Sequence, residues 1–271
     1  MSFYLNRFED LVVEFKNNCV WINLNRPEAS NAYSNGMIQA LVEVLKYADF
    51  DTGVRVIVIT GSGKNFCAGG DIKAMKGKTG MFAGESNQLR EAYQAGIQQI
   101  PLTISNLKTP IVAMVNGAAV GAGCDLAAMC DLRIASDEAS FAETFAKVGL
   151  VPGDGGAFFI TRLIGFGKAM EMFLTCKIFS ASEALKMGLV NQVVLPHELK
   201  TKTEELVEQL RSLPPIALQM TKKSISHAYQ NDLHSHLELM AAYQGITQRS
   251  SDHFKALDGM VDKKKPEFNH S

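Results

Sequence analysis

Between Asn116 and Ser136 the chain runs NGAAVGAGCDLAAMCDLRIAS. Its small residues form a Gly/Ala-rich turn over Asn116 to Gly123, a short helix follows, and Leu132 to Ala135 is a strand. Pro110 introduces another apolar strand, Ile111 to Val115, just upstream. Farther back, VRVIVIT (Val54 to Thr60) is a β-branched run of the kind buried on both faces of a parallel sheet, and the loop GSGKNFCAGGD follows it. This alternation of strand and helix implies an α/β layered fold with a largely parallel core.

Toward the N-terminus, Leu11 to Phe15 and Val20 to Leu24 read as short strands flanking the polar turn Lys16-Asn17-Asn18, and Arg26-Pro27 breaks the second. Ser34 caps a helix reaching about Phe50, with Met37, Leu41, Val44, Leu45 and Ala48 at helical spacing. The Gly- and Lys-rich stretch Lys76 to Gly84 is expected to be mobile, and Glu85 to about Leu107 to form one helix. From about Gly155 the pattern is helical, with Leu189 to Val194 as the strand-like exception. A helix over Leu199 to Leu213 starts without a preferred capping residue, Pro214-Pro215 opens another, and two more reach about Val261. There is no internal repeat and no low-complexity linker. The helical tail is expected to pack on a neighbouring subunit.

The chain has 271 residues, with 27 Lys plus Arg against 28 Asp plus Glu, and a pI near 6.6. That balance argues against a polycation built to neutralise nucleic-acid phosphates. Apolar residues make up 46% and charged residues 20%, as in a soluble globular protein and unlike a disordered one. The longest apolar runs are far short of a bilayer span. The opening MSFYLNRFED carries charge early and has no signal-like apolar core. A cytoplasmic location is the expectation.

Cys19, Cys67, Cys124, Cys130 and Cys176 are odd in number and contain no CxxC, which supports neither a disulfide framework nor a thiolate zinc site. Reduced, mostly buried thiols are expected. All six histidines (His197, His227, His234, His236, His253, His270) lie in the last third, away from the Gly-rich loops, so a Ser-His-Asp site there would have to borrow its base from a distance. No metal site is expected: His234 and His236 are two apart, and a helix points them to different faces.

Both Gly-rich loops fail a nucleotide reading. Gly61-Ser62-Gly63-Lys64 is followed by Asn65 and lacks the phosphate-loop spacing. Gly121-Ala122-Gly123 is followed by Cys124-Asp125-Leu126, without the third glycine of a dinucleotide fingerprint and with an acid that would repel pyrophosphate. What remains is two small-residue loops after consecutive buried strands. Either their backbone N–H groups converge on one carbonyl oxygen and stabilise an oxyanion, or the small residues simply allow tight packing.

The segments NRPEASNA (Asn25 to Ala32), FCAGGDI (Phe66 to Ile72), Asn116 to Ser136, SFAETFAKVGLVPGDGGAFFITRLIG (Ser140 to Gly165) and ASEALKMGLVNQVV (Ala181 to Val194) occur in the order of the crotonase, or enoyl-CoA hydratase/isomerase, superfamily, which this chain resembles over nearly its whole length. The resemblance implies a ββα spiral core over residues 1–195 and a C-terminal helical trimerisation region over 196–271. It further implies trimers or dimers of trimers and an acyl-CoA thioester substrate, with coenzyme A part of the substrate and no separate cofactor. Carried over by position, the oxyanion donors are the N–H groups of Ala68 and Ala122. The CoA groove falls on Arg26, Ala29, Gly70, Asp71 and Ile72, although Arg26 and Asp71 equally suit surface or turn positions. Lys76 to Gly84 is expected to shape the acyl pocket.

Asp125 lies three residues after Ala122, on the same helix face, where its carboxylate can reach the carbon chain of a thioester held by the Ala122 amide. Hydratases resembling this chain carry Glu there; Asp sets the carboxylate back by about 1.5 Å. An acid favouring a helix N-terminus is the plainer alternative. The family's second hydratase glutamate falls on Phe145, which cannot exchange a proton and is left to line the substrate site. Glu143, two residues earlier, does not replace it directly, and Asp154 in the turn Pro152-Gly153-Asp154-Gly155-Gly156 is the better substitute, or else a turn or cap residue. The expectation is an enoyl-CoA hydratase-like enzyme in which Asp125 and Asp154 share proton transfer. The alternatives are a Δ3,Δ2-enoyl-CoA isomerase, another family reaction such as C–C bond hydrolysis, or a non-catalytic binding protein of the same fold. No nucleic acid or membrane is expected as a partner: Lys263-Lys264-Lys265 is a solvated helix end or a contact for CoA phosphates.

Overall fold

A computed structural model describes residues 2–5 and 8–269; His270 lies outside the described residues. The N-terminal half holds β1 (Leu11–Lys16), β2 (Cys19–Leu24), α1 (Asn35–Phe50), β3 (Val56–Gly61), α2 (Ile72–Gly77), α3 (Ser86–Ala95), α4 (Gln99–Asn106) and β4 (Ile111–Val115). Then come β5 (Ala119–Val120), α5 (Ala122–Met129), β6 (Leu132–Ser136), β7 (Ser140–Ala142), α6 (Gly156–Thr175), β8 (Phe179–Ser180), α7 (Ala181–Lys186) and β9 (Gln192–Val194). Four helices close the chain: α8 (Leu199–Arg211), α9 (Pro215–Gln230), α10 (Leu233–Thr247) and α11 (Ser251–Asp262). The main sheet has the order β1-β2-β3-β4-β6-β9, parallel except for the β1/β2 hairpin, and a small second sheet has the order β5-β7-β8. The ββα spiral and the α/β class are as the motifs imply.

Each central strand is buried on both faces, and alternation decides which neighbour each residue meets. Ile57 and Ile59 of β3 join the large core with Leu41, Val44 and Leu45 of α1, whereas Val56 and Val58 point the other way and pack with Val112 of β4 and Val207 of α8. Ser34 caps α1 as expected, its Oγ accepting from the Met37 N–H at 2.9 Å. Because α8 covers this second face of the sheet, the first helix of the 196–271 region is part of the core layering. Helices α9 to α11 leave Ile225, Leu233, Leu237, Ile246, Met260 and Val261 exposed.

Some expectations need correction. The helix expected from Glu85 to Leu107 is two, α3 and α4, broken at Gly96 (φ −106°, ψ −107°). Lys76 to Gly84 holds the end of α2 and a 3-10 turn at Gly80–Phe82. The last strand starts only at Gln192, since Leu189 and Val190 are buried in the turn after α7, where both N–H groups donate to the Ala184 carbonyl. The three strands of the small sheet, two or three residues each, are too short to show periodicity. All five cysteines are buried and unpaired. Among the described residues no helix is long and apolar enough to cross a membrane.

Candidate active site

The loops that follow β3 and β4 leave the same end of the sheet and are laced together by Asn116. Its Oδ1 accepts from the Gly61 N–H (3.1 Å) and its Nδ2 donates to Gly63 O (3.0 Å). Beyond it the Val120 N–H donates to Cys67 O (2.9 Å) and the Cys67 N–H to Ala118 O (3.1 Å). The approach is close enough to require glycine on both sides. A Cβ on Gly123 would overlap the Cys67 carbonyl, and one on Gly69, already at φ +78°, would lie 2.7 Å from Val120 O and 2.9 Å from Ala122 N. The two loops converge, so tight packing and an amide cradle are both present.

The amides are not equivalent. Ala122 is the first residue of α5, where an N–H has no intrahelical acceptor, and it faces the opposite loop. The Ala68 N–H, expected as the other donor, donates to Ser30 O at 2.9 Å. Ser30 is held in place: the buried Asn31 side chain donates to Ser62 O, Asn65 O and Phe66 O, and its Oδ1 accepts from the Arg26 N–H. The Ala68 assignment is therefore corrected, because its amide is committed within the protein. The Gly69 N–H turns to Cys67 Sγ at 3.4 Å. The Gly70 N–H, next along, has no acceptor among the described residues, which makes it the available donor of this loop.

Arg26 and Asp71 form one structural unit. The Arg26 guanidinium donates to Ala32 O (2.8 Å) and lies 3.5 Å from both Asp10 and Asp71. Asp71 caps α2, its Oδ1 accepting from the Lys73 and Ala74 N–H groups, and these bonds, led by Ala74 with Arg26 adding, hold its carboxyl below the usual range. Ile72 begins α2 and is exposed, and Ala29 sits half-buried in a 3-10 turn. The turn-residue reading of Arg26 and Asp71 thus has a concrete basis.

The acids come together beside Ala122. Asp125, in the first turn of α5, is fully buried. The pairing of β5 with β7, with the Gly121 N–H donating to Ala142 O at 2.7 Å, brings the end of β7 against that turn. Glu143, the next residue, is also fully buried, within hydrogen-bonding reach of Asp125 and Cys124. Asp154, 3% exposed, meets Asp125 from the loop before α6. Neither oxygen of Asp125, neither of Glu143, nor Oδ1 of Asp154 has a donor from elsewhere among the described residues. Burial drives all three carboxyls upward, Glu143 to about 8, and for Asp125 the neighbouring Glu143 and Asp154 add to it. Such a cluster keeps protons at neutral pH because no cation among the described residues compensates its charges.

The expected pair, Asp125 and Asp154, is therefore brought together, and Glu143, set aside on sequence grounds, is a third member. Its signal was period two: Phe141 and Glu143 lie on one side of an extended segment, and Phe141 is buried. Phe145 starts a 3-10 turn, with its ring edge 3.8 Å from where a Cβ on Gly121 would sit. An apolar ring thus lies next to the Ala122 amide. Asp154 also borders a cleft of about 560 Å³ lined by Gln98, Pro101, Leu102, Phe158 and Phe159. A carbonyl oxygen between the Gly70 and Ala122 amides, with a proton-holding carboxyl cluster alongside, is an arrangement suited to forming and quenching an enolate.

The chain matches the enoyl-CoA hydratase/isomerase family model over residues 14–271 and belongs to that family. It is 30% identical to the crotonyl-CoA hydratase of Syntrophomonas wolfei, over 96% of this chain and 98% of that one. It is 32% identical to the short-chain-enoyl-CoA hydratase of Clostridium acetobutylicum, over 95% and 97%. The crystal structure of an enoyl-CoA hydratase from Bacillus anthracis superposes with a TM-score of 0.91 at 32% identity, covering 97% of this chain and all of that one.

Proposed function

We propose that the protein shifts the double bond of an enoyl-CoA thioester, converting a 3-enoyl to a 2-enoyl chain. The thioester oxygen sits between the Gly70 and Ala122 N–H groups. The ionised carboxylate of the cluster, centred on Asp125 with Asp154 sharing the transfer, takes a proton from C2. The electron pair delocalises over C2, C4 and the thioester oxygen, and a carboxyl proton is returned to C4. The observation that carries this reading is the pairing of one buried carboxyl cluster with an apolar ring, Phe145, where hydration would use a second separate acid. One proton moved between two carbons needs no positioned water. Arg26, Ala29, Asp71 and Ile72 remain our candidates for the CoA groove.

Hydration of a 2-enoyl-CoA is the second reading, favoured by the names of the relatives above. Assay of the purified protein on a 3-enoyl-CoA and on crotonyl-CoA separates the two. Isomerisation faster than hydration is expected; hydration without isomerisation overturns the leading reading, and inertness on both overturns the acyl-CoA assignment. We also place the contacts of a trimer, or of two stacked trimers, on the exposed apolar residues of α9 to α11, which sedimentation would test against a monomer.

A further inference from the structure

Glu143 occupies a position to which the resemblance gives no role, and no cation among the described residues accounts for its burial. Its carboxyl is fully buried at the end of β7. The groups facing it are Cys124 and Asp125 of α5 and Asp154 of the loop before α6. Its two oxygens receive no hydrogen from any other group among the described residues. An unpaired buried carboxylate would be costly, whereas a carboxylic acid can donate its hydrogen to a neighbouring carboxylate. Burial raises Asp125, and repulsion from Glu143 and Asp154 adds to this while those neighbours are ionised. Once both hold protons, Asp125 lies between two O–H donors and against the first residue of α6, so a single negative charge on the cluster is stabilised there by both donors and the helix end.

We propose that Glu143 is a positioning residue for the proton transfer at Asp125: it keeps its own proton, donates it to one Asp125 oxygen, and so fixes the rotamer and basicity of the group that meets the substrate. The Glu143 proton is held, not transferred. Asp154 holds Asp125 from the other side and borders the open cleft, so exchange with solvent runs through Asp154. This rests on the proton-transfer reading of the site, and deepens it by naming the group that sets the base.

The test uses Glu143→Leu and Glu143→Gln in the full chain. Leucine fills the space without a donor, and kcat for 3-enoyl-CoA isomerisation falls about tenfold to a hundredfold, as expected for losing a hydrogen bond to a charged group. Glutamine keeps an N–H donor and recovers most of that loss. It also removes the alkaline fall in kcat that follows ionisation of Glu143 in the wild type. Wild-type kcat and an unchanged pH profile in both variants would overturn the proposal. If the leucine variant does not fold, the pH profile of the glutamine variant decides alone.

An arm free of substrate separates this failure from failure of the functional reading. The infrared carbonyl band of the protonated Glu143, identified by its loss in Glu143→Gln, shifts in Asp125→Asn if the two carboxyls share a hydrogen. A band that does not move refutes the contact whatever the enzyme turns over. A shifted band with no turnover of any enoyl-CoA keeps the contact and rejects the reaction.

Discussion

Gly156 lies directly against the carboxylate of Asp125, so closely that a Cβ at position 156 would overlap both side-chain oxygens. Gly156 opens α6, so the positive end of that helix faces the acid. The absent side chain and the helix end together define where Asp125 can sit. In Gly156→Ala the carboxylate must swing away, and a displacement of about 1 Å from reacting geometry costs on the order of a hundredfold in rate. Circular dichroism should retain the native helix content while kcat collapses; near-normal kcat would show that Asp125 does not need this placement.

Asp125→Asn removes the ionisable centre of the cluster and leaves its shape. A lost general base lowers kcat by about 10² to 10⁴. Steady-state kinetics on the preferred enoyl-CoA isomer provide the measurement. A loss smaller than that of Asp154→Asn would move the role of base to Asp154.

Asp71→Ala separates the cap from the groove. The substitution removes the two backbone bonds that start α2 and one partner of Arg26, costing about 1 kcal/mol of stability. Chemical denaturation reads that loss. If Arg26 and Asp71 also touch CoA, KM rises with kcat little changed; an unaltered KM leaves them a purely structural role.

The buried Glu143 carboxyl makes stability depend on pH. Its ordinary value of 4.5 is pushed up to about 8 in the folded protein, so the folded state holds the proton more tightly than the unfolded chain. The stabilisation from this group is complete below 4.5 and is lost as pH rises through about 8. The melting temperature of the wild type should decline across that window, and Glu143→Gln should flatten the decline. Equal slopes for the two proteins would mean that the carboxyl is already ionised in the fold.

The sheet was legible in the sequence because its strands are buried on both faces and are therefore continuous β-branched runs. Val56 to Gly61 and Ile111 to Val115 lie within a residue or two of where their composition puts them. The apolar spacing of Met37 to Ala48 and the cap at Ser34 likewise placed α1. Gly96 hid the break between α3 and α4, because a single glycine in an otherwise helical pattern is tolerated as often as it interrupts.

The site was only half legible. Asp125 and Asp154 stand in recognisable motifs, yet Glu143 looked misplaced because its neighbour Phe145 holds the family position. Ala68 looked available because hydrogen-bond commitment of an amide leaves no trace in residue type. Its acceptor, Ser30, is 38 residues away in the chain.

The sequence by itself determined the family, the strands of the main sheet and helix α1, and the presence of acids beside two glycine loops, since all of these follow from local patterns and motif order. Only the tertiary structure decided which amides are free and which carboxyls meet. Those outcomes depend on segments distant in the chain arriving within a few ångströms of one another, with the burial and mutual repulsion of like groups that no local pattern encodes.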